Sequence, residues 1–319
     1  MSIFGDVIMA IRMRDFHWRE DFESARRFLG DIFHTRRAYT NWIPSQLENV
    51  KFGPGGTEYR DDDDEYLKIW EAYDETHQLP AAMIALSYTQ PYGNCALSIH
   101  PPYTSAAREM LLWMRNQMNE RKTSKSDRVS VRLPVDDDDE ELILLLADLG
   151  FQKGEIDGDK QIRPIGLPVP TYNLPKGYTI RNAIITKDFL NYREVQKTVF
   201  PHIKSMSLGL LQLYSSASFY HEELDIVAVD PHGKFAAFCT ARIDPVSKIA
   251  ELEPVGTHPD HRRCGLGKAV ICESLKRLEK YQPSAIVILG AAASDAARRL
   301  YESVGFVNEG PRHYWFQRV

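Results

Sequence analysis

The chain has 319 residues, of which 43% are hydrophobic and 26% charged, with a formal net charge of −5. That is ordinary globular composition, long enough for two domains, and it carries no positive field to hold nucleic acid or an anionic membrane. Cys95, Cys239, Cys264 and Cys272 show no CxxC spacing, which predicts reduced thiols rather than a disulfide framework or a metal site. No basic-then-apolar leader and no run of roughly 18 apolar residues is present, so the expected location is cytoplasmic.

In chain order, the first half predicts a helix at Asp21–Phe33 and strands at Tyr66–Tyr73 and Ala81–Tyr88. A strand then ends in Ile99-His100-Pro101, and a helix follows at Ser105–Met118. Two acidic runs, Asp61–Glu65 and Asp136–Glu141, read as solvated loops. The second leads into a helix N-terminus, where carboxylates oppose the helix dipole. The half closes on Leu149-Gly150-Phe151. Pro164, Pro168, Pro170 and Pro175 then crowd one short stretch. Proline fixes φ and removes a donor, so an extended linker is expected here.

The second half repeats the order. It predicts a helix at Asp188–Phe200, strands at Asp225–Val229 and Phe235–Ile243, and a strand ending in Thr257-His258-Pro259. A helix at Gly267–Lys280 and a close on Val304-Gly305-Phe306 follow. The parallel order predicts a duplication of one α/β fold with a mixed, mostly antiparallel sheet flanked by helices. The expected domains are residues 1–165 and 177–319, joined by a linker at 166–176.

Chemistry concentrates after the strand that holds Glu251 and Glu253. The loop Arg262-Arg263-Cys264-Gly265-Leu266-Gly267-Lys268 opens a helix. Unbonded first-turn amides and the helix dipole favour an anion there, and glycine leaves the backbone uncovered. Three cationic side chains add to this, so a pyrophosphate cradle is expected. A second segment, Ser294 to Phe306, reads as a helix with Ser294 as N-cap, Ala297, Leu300, Tyr301 and Val304 on one face, and Gly305 at C′.

These two segments resemble the signature motifs of the GNAT acetyltransferase superfamily. Arg262, Gly265 and Gly267 follow a His-Pro strand end, and Ala297, Leu300, Tyr301, Gly305 and Phe306 match the second motif. Ser294 stands where the family often has Asn. The resemblance covers residues from about 178 to 319, and the tandem layout is similar to that of two-domain members. It implies direct transfer of an acetyl group from acetyl-CoA to a primary amine, borne by a small molecule or a peptide, in a ternary complex. It also implies pantetheine in a gap between two splayed strands, against Val255, Gly256 and Thr257, with pairing lapsing near Pro254. The pyrophosphate would lie on Arg262, Arg263, Cys264, Gly265, Leu266, Gly267 and Lys268, flanked by Ser294 and Ala297. Tyr301 is the expected acid for the leaving thiolate. Glu251 or Glu253 is the expected base, and a two-residue spacing on a strand does not separate them. The glutamate that some relatives carry on the following strand is replaced near Leu289 by an apolar residue.

Cys264 reads as loop filler, and His221, His258 and His261 as structural. The first half has Thr104, Ala107 and Glu109 against Arg262, Gly265 and Gly267, and Leu146 against Tyr301. This predicts a degenerate copy. Two other readings are a non-catalytic acyl-CoA-binding regulatory module and a scaffold without cofactor.

Overall fold

The computed structural model describes residues 9–35, 42–53, 63–74, 79–90, 93–121, 129–201, 207–292 and 294–319. The first half contains β1 (Met9–His17), α1 (Trp18–Thr35), α2 (Pro44–Phe52), β2 (Asp63–Asp74), β3 (Leu79–Thr89) and β4 (Cys95–Ile99). These are followed by α3 (Ala107–Glu120), β5 (Ser130–Asp136), α4 (Glu140–Asp148) and β6 (Gln152–Arg163). The second half contains β7 (Thr179–Asn182), α5 (Ile185–Val199), α6 (Leu208–Tyr214), β8 (Asp225–Val229), β9 (Phe235–Ile243) and β10 (Ile249–Thr257). It ends with α7 (Leu266–Leu278), β11 (Ala285–Ala291), α8 (Asp295–Glu302) and β12 (Val307–Arg318). No described helix is long and apolar enough to cross a membrane.

The chain forms two compact units, and they do not follow the proline-rich break. Unit 1 comprises Met1–Pro44, Asp61–Asp157 and Pro311–Val319; unit 2 comprises Ser45–Arg60 and Gly158–Gly310. The expected boundary at 166–176 differs from this division because each unit completes its sheet with a strand segment from the other half of the sequence. Residues 166–176 are not a free spacer either. Val169, Tyr172 and Leu174 pack on the core of unit 2, and the buried Arg163 donates to the carbonyls of Leu167 and Pro168.

In unit 1, β1 to β4 form an antiparallel sheet in that order. Met110, Leu111, Met114 and Met118 of α3 recur at helical spacing and are buried, with Trp70, Ile84, Leu97 and Leu146, in one core. On β5, Val131, Leu133 and Val135 are buried and their neighbours are not, the alternation of a one-sided strand. The end of β12 pairs antiparallel with β5, from Arg312 opposite Asp136 to Arg318 opposite Ser130, and buries Trp315 in the same core. The first acidic run departs from the loop expectation. Asp63 and Asp64 pair with His17 and Phe16 of β1, so backbone pairing with a neighbour extends β2 into the run; Asp61 and Asp62 lie outside the described residues. In the second run, Asp139 caps α4 by accepting from the Leu142 amide at 3.2 Å.

In unit 2, the strand order is β6-β11-β10-β9-β8-β7. Every described pairing is antiparallel except β10 with β11, which are parallel because α7 carries the chain across between them. β8 and β9 are buried at every position, as strands covered on both faces must be. Ile226 and Ala228 meet α7 on one face, and Val227 and Val229 meet α5 on the other. Elements of both units thus follow the mixed, mostly antiparallel sheet flanked by helices that the sequence predicts.

Candidate active site

The site is built where β10 leaves its parallel neighbour. Ile249, Ala250 and Glu251 pair with Ala285, Ile286 and Val287 of β11, and the described pairing goes no further. β10 nevertheless runs on to Thr257, held on its other edge by β9 through Val255, Gly256 and Thr257. The register with β9 shifts between Leu252 and Val255, around a proline that has no N–H to give a ladder. The two strands therefore part like a fork, with Glu253 two residues beyond the last paired position.

Beyond the fork the chain turns through Pro259–His261 into α7. Arg263 (φ 65) and Gly265 (φ 81) are both left-handed and bracket Cys264, a backbone alternation that turns successive amides into a concavity. The first helical bond of α7 runs from the Ala269 amide to the Gly265 carbonyl. The amides of Arg263, Cys264, Gly265, Leu266, Gly267 and Lys268 have no acceptor among the described residues. Six consecutive amides without a described acceptor thus stand at a helix N-terminus, beside the exposed guanidinium groups of Arg262 and Arg263, an arrangement that favours an anion.

The two glycines serve different ends. A Cβ on Gly265 would meet nothing within 4 Å, so its backbone faces open space. A Cβ on Gly267 would stand 3.1 Å from Thr257 Oγ1 and 3.3 Å from Leu300 Cδ2, so Gly267 lets α7 approach β10 and α8. Leu266 is fully buried and belongs to the core of unit 2. Val255 and Ala297 pack against the core of unit 2. Ser294 caps α8, accepting from the Ala297 amide at 3.3 Å. Arg298 of α8 clamps the fully buried Asp159 of β6, which also accepts from Asn308 at 3.3 Å.

Tyr301 lies on the inner face of α8, its ring edge-on to Phe306 with centroids 5.9 Å apart. Its hydroxyl has no hydrogen bond among the described residues. Burial pushes the phenol well above its ordinary range, with Cys239 and Glu253 adding to the shift.

The two glutamates of β10 occupy different surroundings. Glu251 is buried, and its carboxylate accepts from Ser45 Oγ at 3.1 Å, Gln46 Nε2 at 3.0 Å and Arg242 Nη1 at 3.5 Å. Glu253 is exposed to solvent at the fork. Desolvation pushes its carboxyl up to about 7, against the pull of Arg242 and with Glu251 adding to the rise. Arg242 is itself buried and donates from Nε to Tyr214 Oη at 2.8 Å.

Ser45, Gln46, Arg242 and Tyr214 carry no sequence signal for this cluster. Ser45 and Gln46 stand 206 and 205 positions from Glu251. The histidines take structural places. His261 Nδ1 is 2.8 Å from Tyr178 Oη, the His221 ring packs on Tyr281, and His258 Nδ1 accepts from the Asp260 amide. Cys264 is exposed, and its Sγ lies 3.4 Å from the Arg262 carbonyl. Among the described residues, no three His, Cys, Asp or Glu side chains are placed to hold a metal.

Residues 191–306, from α5 to the turn after α8, match the acetyltransferase (GNAT) family. The similarity to this family is carried by the second half of the chain. It is 26% identical over 146 residues to mycothiol acetyltransferase of Paenarthrobacter aurescens (strain TC1), a match covering 44% of this chain and 45% of that one. It is 36% identical over 75 residues to [ribosomal protein bS18]-alanine N-acetyltransferase of Escherichia coli (strain K12), covering 24% and 49%. The chain spans about half the length of the curated relatives it matches. Among solved structures, a GCN5-related N-acetyltransferase from Sphaerobacter thermophilus aligns with TM-score 0.68 at 13% identity, over 97% of this chain and 95% of that one. A tandem GNAT protein from the clavulanic acid biosynthesis pathway aligns with TM-score 0.65 at 12% identity, over 97% and 98%. These two likenesses show that the GNAT fold extends along nearly the whole chain.

Proposed function

We propose that the chain is an N-acetyltransferase whose unit 2 takes acetyl-CoA as co-substrate and passes the acetyl group directly to a primary amine in a ternary complex. The observation that carries this reading is the row of six free amides at the head of α7, set where β10 and β11 part. In this reading the cradle of residues 263–268, with Arg262, Arg263 and Lys268, holds the pyrophosphate. The unpaired edge of β10 at Val255–Thr257 receives the pantetheine. Acetyl-CoA supplies the thioester; the protein supplies the proton transfers. Glu253 takes the proton that the amine must lose, and a carboxyl near 7 suits a base working at neutral pH. Tyr301, held as the phenol by its burial, gives a proton to the departing sulfur. Glu251, saturated by three donors, serves as a structural carboxylate.

The two relatives above are named for mycothiol and for a ribosomal-protein alanine, which supports a small-molecule or peptide amine as the acceptor. Unit 1 is read as the copy without a site. α3 is entered through a tight 3-10 turn at Pro101–Ala106, the Ala107 amide is bonded to the Thr104 carbonyl, and Glu109 places a carboxylate in the first turn.

The test is thiol release from acetyl-CoA against a panel of amines, with the wild type and Glu253→Gln compared across pH. The working form of Glu253 is deprotonated, so wild-type kcat/KM should rise with pH through about 7 and fall away below it. Glu253→Gln should lose that limb and run about 10²–10⁴-fold slower. A variant with the wild-type rate and profile removes the base. Tight acetyl-CoA binding without turnover on any amine favours the non-catalytic acyl-CoA-binding module.

A further inference from the structure

α2 is encoded in the first half of the sequence yet belongs to unit 2. Its apolar anchors are ordinary: Leu47 is fully buried, and Phe52 packs against the cluster of Tyr214, Ala217 and Phe219. Its polar residues are not. Ser45 and Glu48 are almost completely buried and Gln46 is half-buried. Burying polar groups is costly unless each finds a partner. Here the partners lie on β10 and on the segment after α6. Ser45 and Gln46 donate to opposite oxygens of Glu251. Glu48 accepts from the Ser218 amide at 2.6 Å and from Ser218 Oγ at 2.8 Å.

The Glu251 carboxylate is thereby shared between α2 and Arg242, and among the described residues Arg242 is the cation that acts on Glu253. The groups that interact with Glu253 are Arg242 and Cys239 on β9, Glu251 on β10, Tyr214 on α6 and Tyr301 on α8. We propose that Ser45 and Gln46 are positioning residues for the base: by holding Glu251 they leave the Arg242 charge available to Glu253. The proposal rests on the reading of Glu253 as the base and adds to it a control element from the other half of the sequence.

The sign follows from the geometry. Without Ser45 Oγ and Gln46 Nε2, the Glu251 carboxylate has Arg242 as its remaining described partner and draws it closer, so Glu253 loses countercharge and holds its proton to higher pH. Replacing Glu251 by Gln removes a negative neighbour and frees Arg242, so Glu253 gives up its proton at lower pH. The two changes move one titration in opposite directions, which a loss of packing alone cannot do.

The experiment measures kcat/KM against pH for wild type, Gln46→Ala, Ser45→Ala/Gln46→Ala, Glu251→Gln and Glu253→Gln in the full chain. Gln46→Ala is the variant least able to disturb folding, since that side chain is only half-buried. The expected result is an upward shift of the acid limb by about half to one pH unit in the α2 variants. That is a loss of roughly threefold to tenfold in rate on the acid side, with the alkaline plateau retained. A downward shift is expected in Glu251→Gln. If Glu253→Gln removes the limb while both α2 variants leave it in place, the positioning role is overturned. An α2 variant whose rate falls equally at every pH, with a lowered melting temperature, overturns it too. If Glu253→Gln keeps the limb, the failure belongs to the assignment of the base.

Discussion

Tyr301 combines a packed ring with an unbonded hydroxyl. The ring is nine-tenths buried against the core that contains Phe306 and Val304, whereas buried phenols usually find a hydrogen-bond partner. A free hydroxyl close enough to feel Glu253 and Cys239 is what a proton donor at the fork requires. Tyr301→Phe keeps the ring and should leave stability and acetyl-CoA affinity nearly unchanged. Its single-turnover transfer rate should fall by about 10²–10⁴-fold, the usual span for a positioned acid. A folded variant with the wild-type single-turnover rate would make Tyr301 a packing residue. The place of Tyr301 on the buried face of α8 was legible in the sequence because its motif is local. The difference between Glu251 and Glu253 was not: strand periodicity places both on one face, and only the register shift after Leu252 and the donors from α2 separate them.

At the scale of elements, the site depends on how closely β10 is gripped. Gly256 lies between β9 and α5, where a Cβ would come within 2.6 Å of Phe238 Cζ and 2.7 Å of Val199 Cγ1. Phe238 is fully buried, so neither neighbour moves freely. Gly256→Ala should therefore cost about 1–3 kcal/mol through overpacking. For a unit of this size that is a fall in melting temperature of roughly 2–4 °C per kcal/mol. An unchanged melting curve would show that the grip is looser than the distances state. The glycine-rich loop was legible as a helix entrance, but its two glycines were not distinguishable from spacing. Gly265 opens a left-handed turn onto free space, and Gly267 fits against Thr257 and Leu300. That distinction comes from tertiary packing, which a loop sequence does not carry.

At the scale of the whole molecule, the duplicated order of strands and helices was legible because each half repeats the same periodicities. The division into units was not. β12 closes onto β5 in unit 1, β6 closes onto β11 in unit 2, and α2 is built into unit 2. Such pairings between distant segments leave no mark on local composition, whereas a cluster of prolines does. The two copies also differ at the entrance to the equivalent helix: α7 follows free amides, and α3 follows a bonded 3-10 turn. Acetyl-CoA should therefore bind in one copy only. The most direct measurement is an isothermal titration of acetyl-CoA into the full chain, repeated with Gly265→Asn and Gly265→Asp. Asn and Asp both tolerate the left-handed backbone better than other side chains, and the space beside Gly265 is open. The pair thus separates charge from conformation. The account predicts a single site per chain, retained within a few-fold by Gly265→Asn and weakened by well over about tenfold by Gly265→Asp, since charge-assisted contacts contribute about 1.5–3 kcal/mol each. Two equivalent sites per chain, or wild-type affinity in Gly265→Asp, would contradict it.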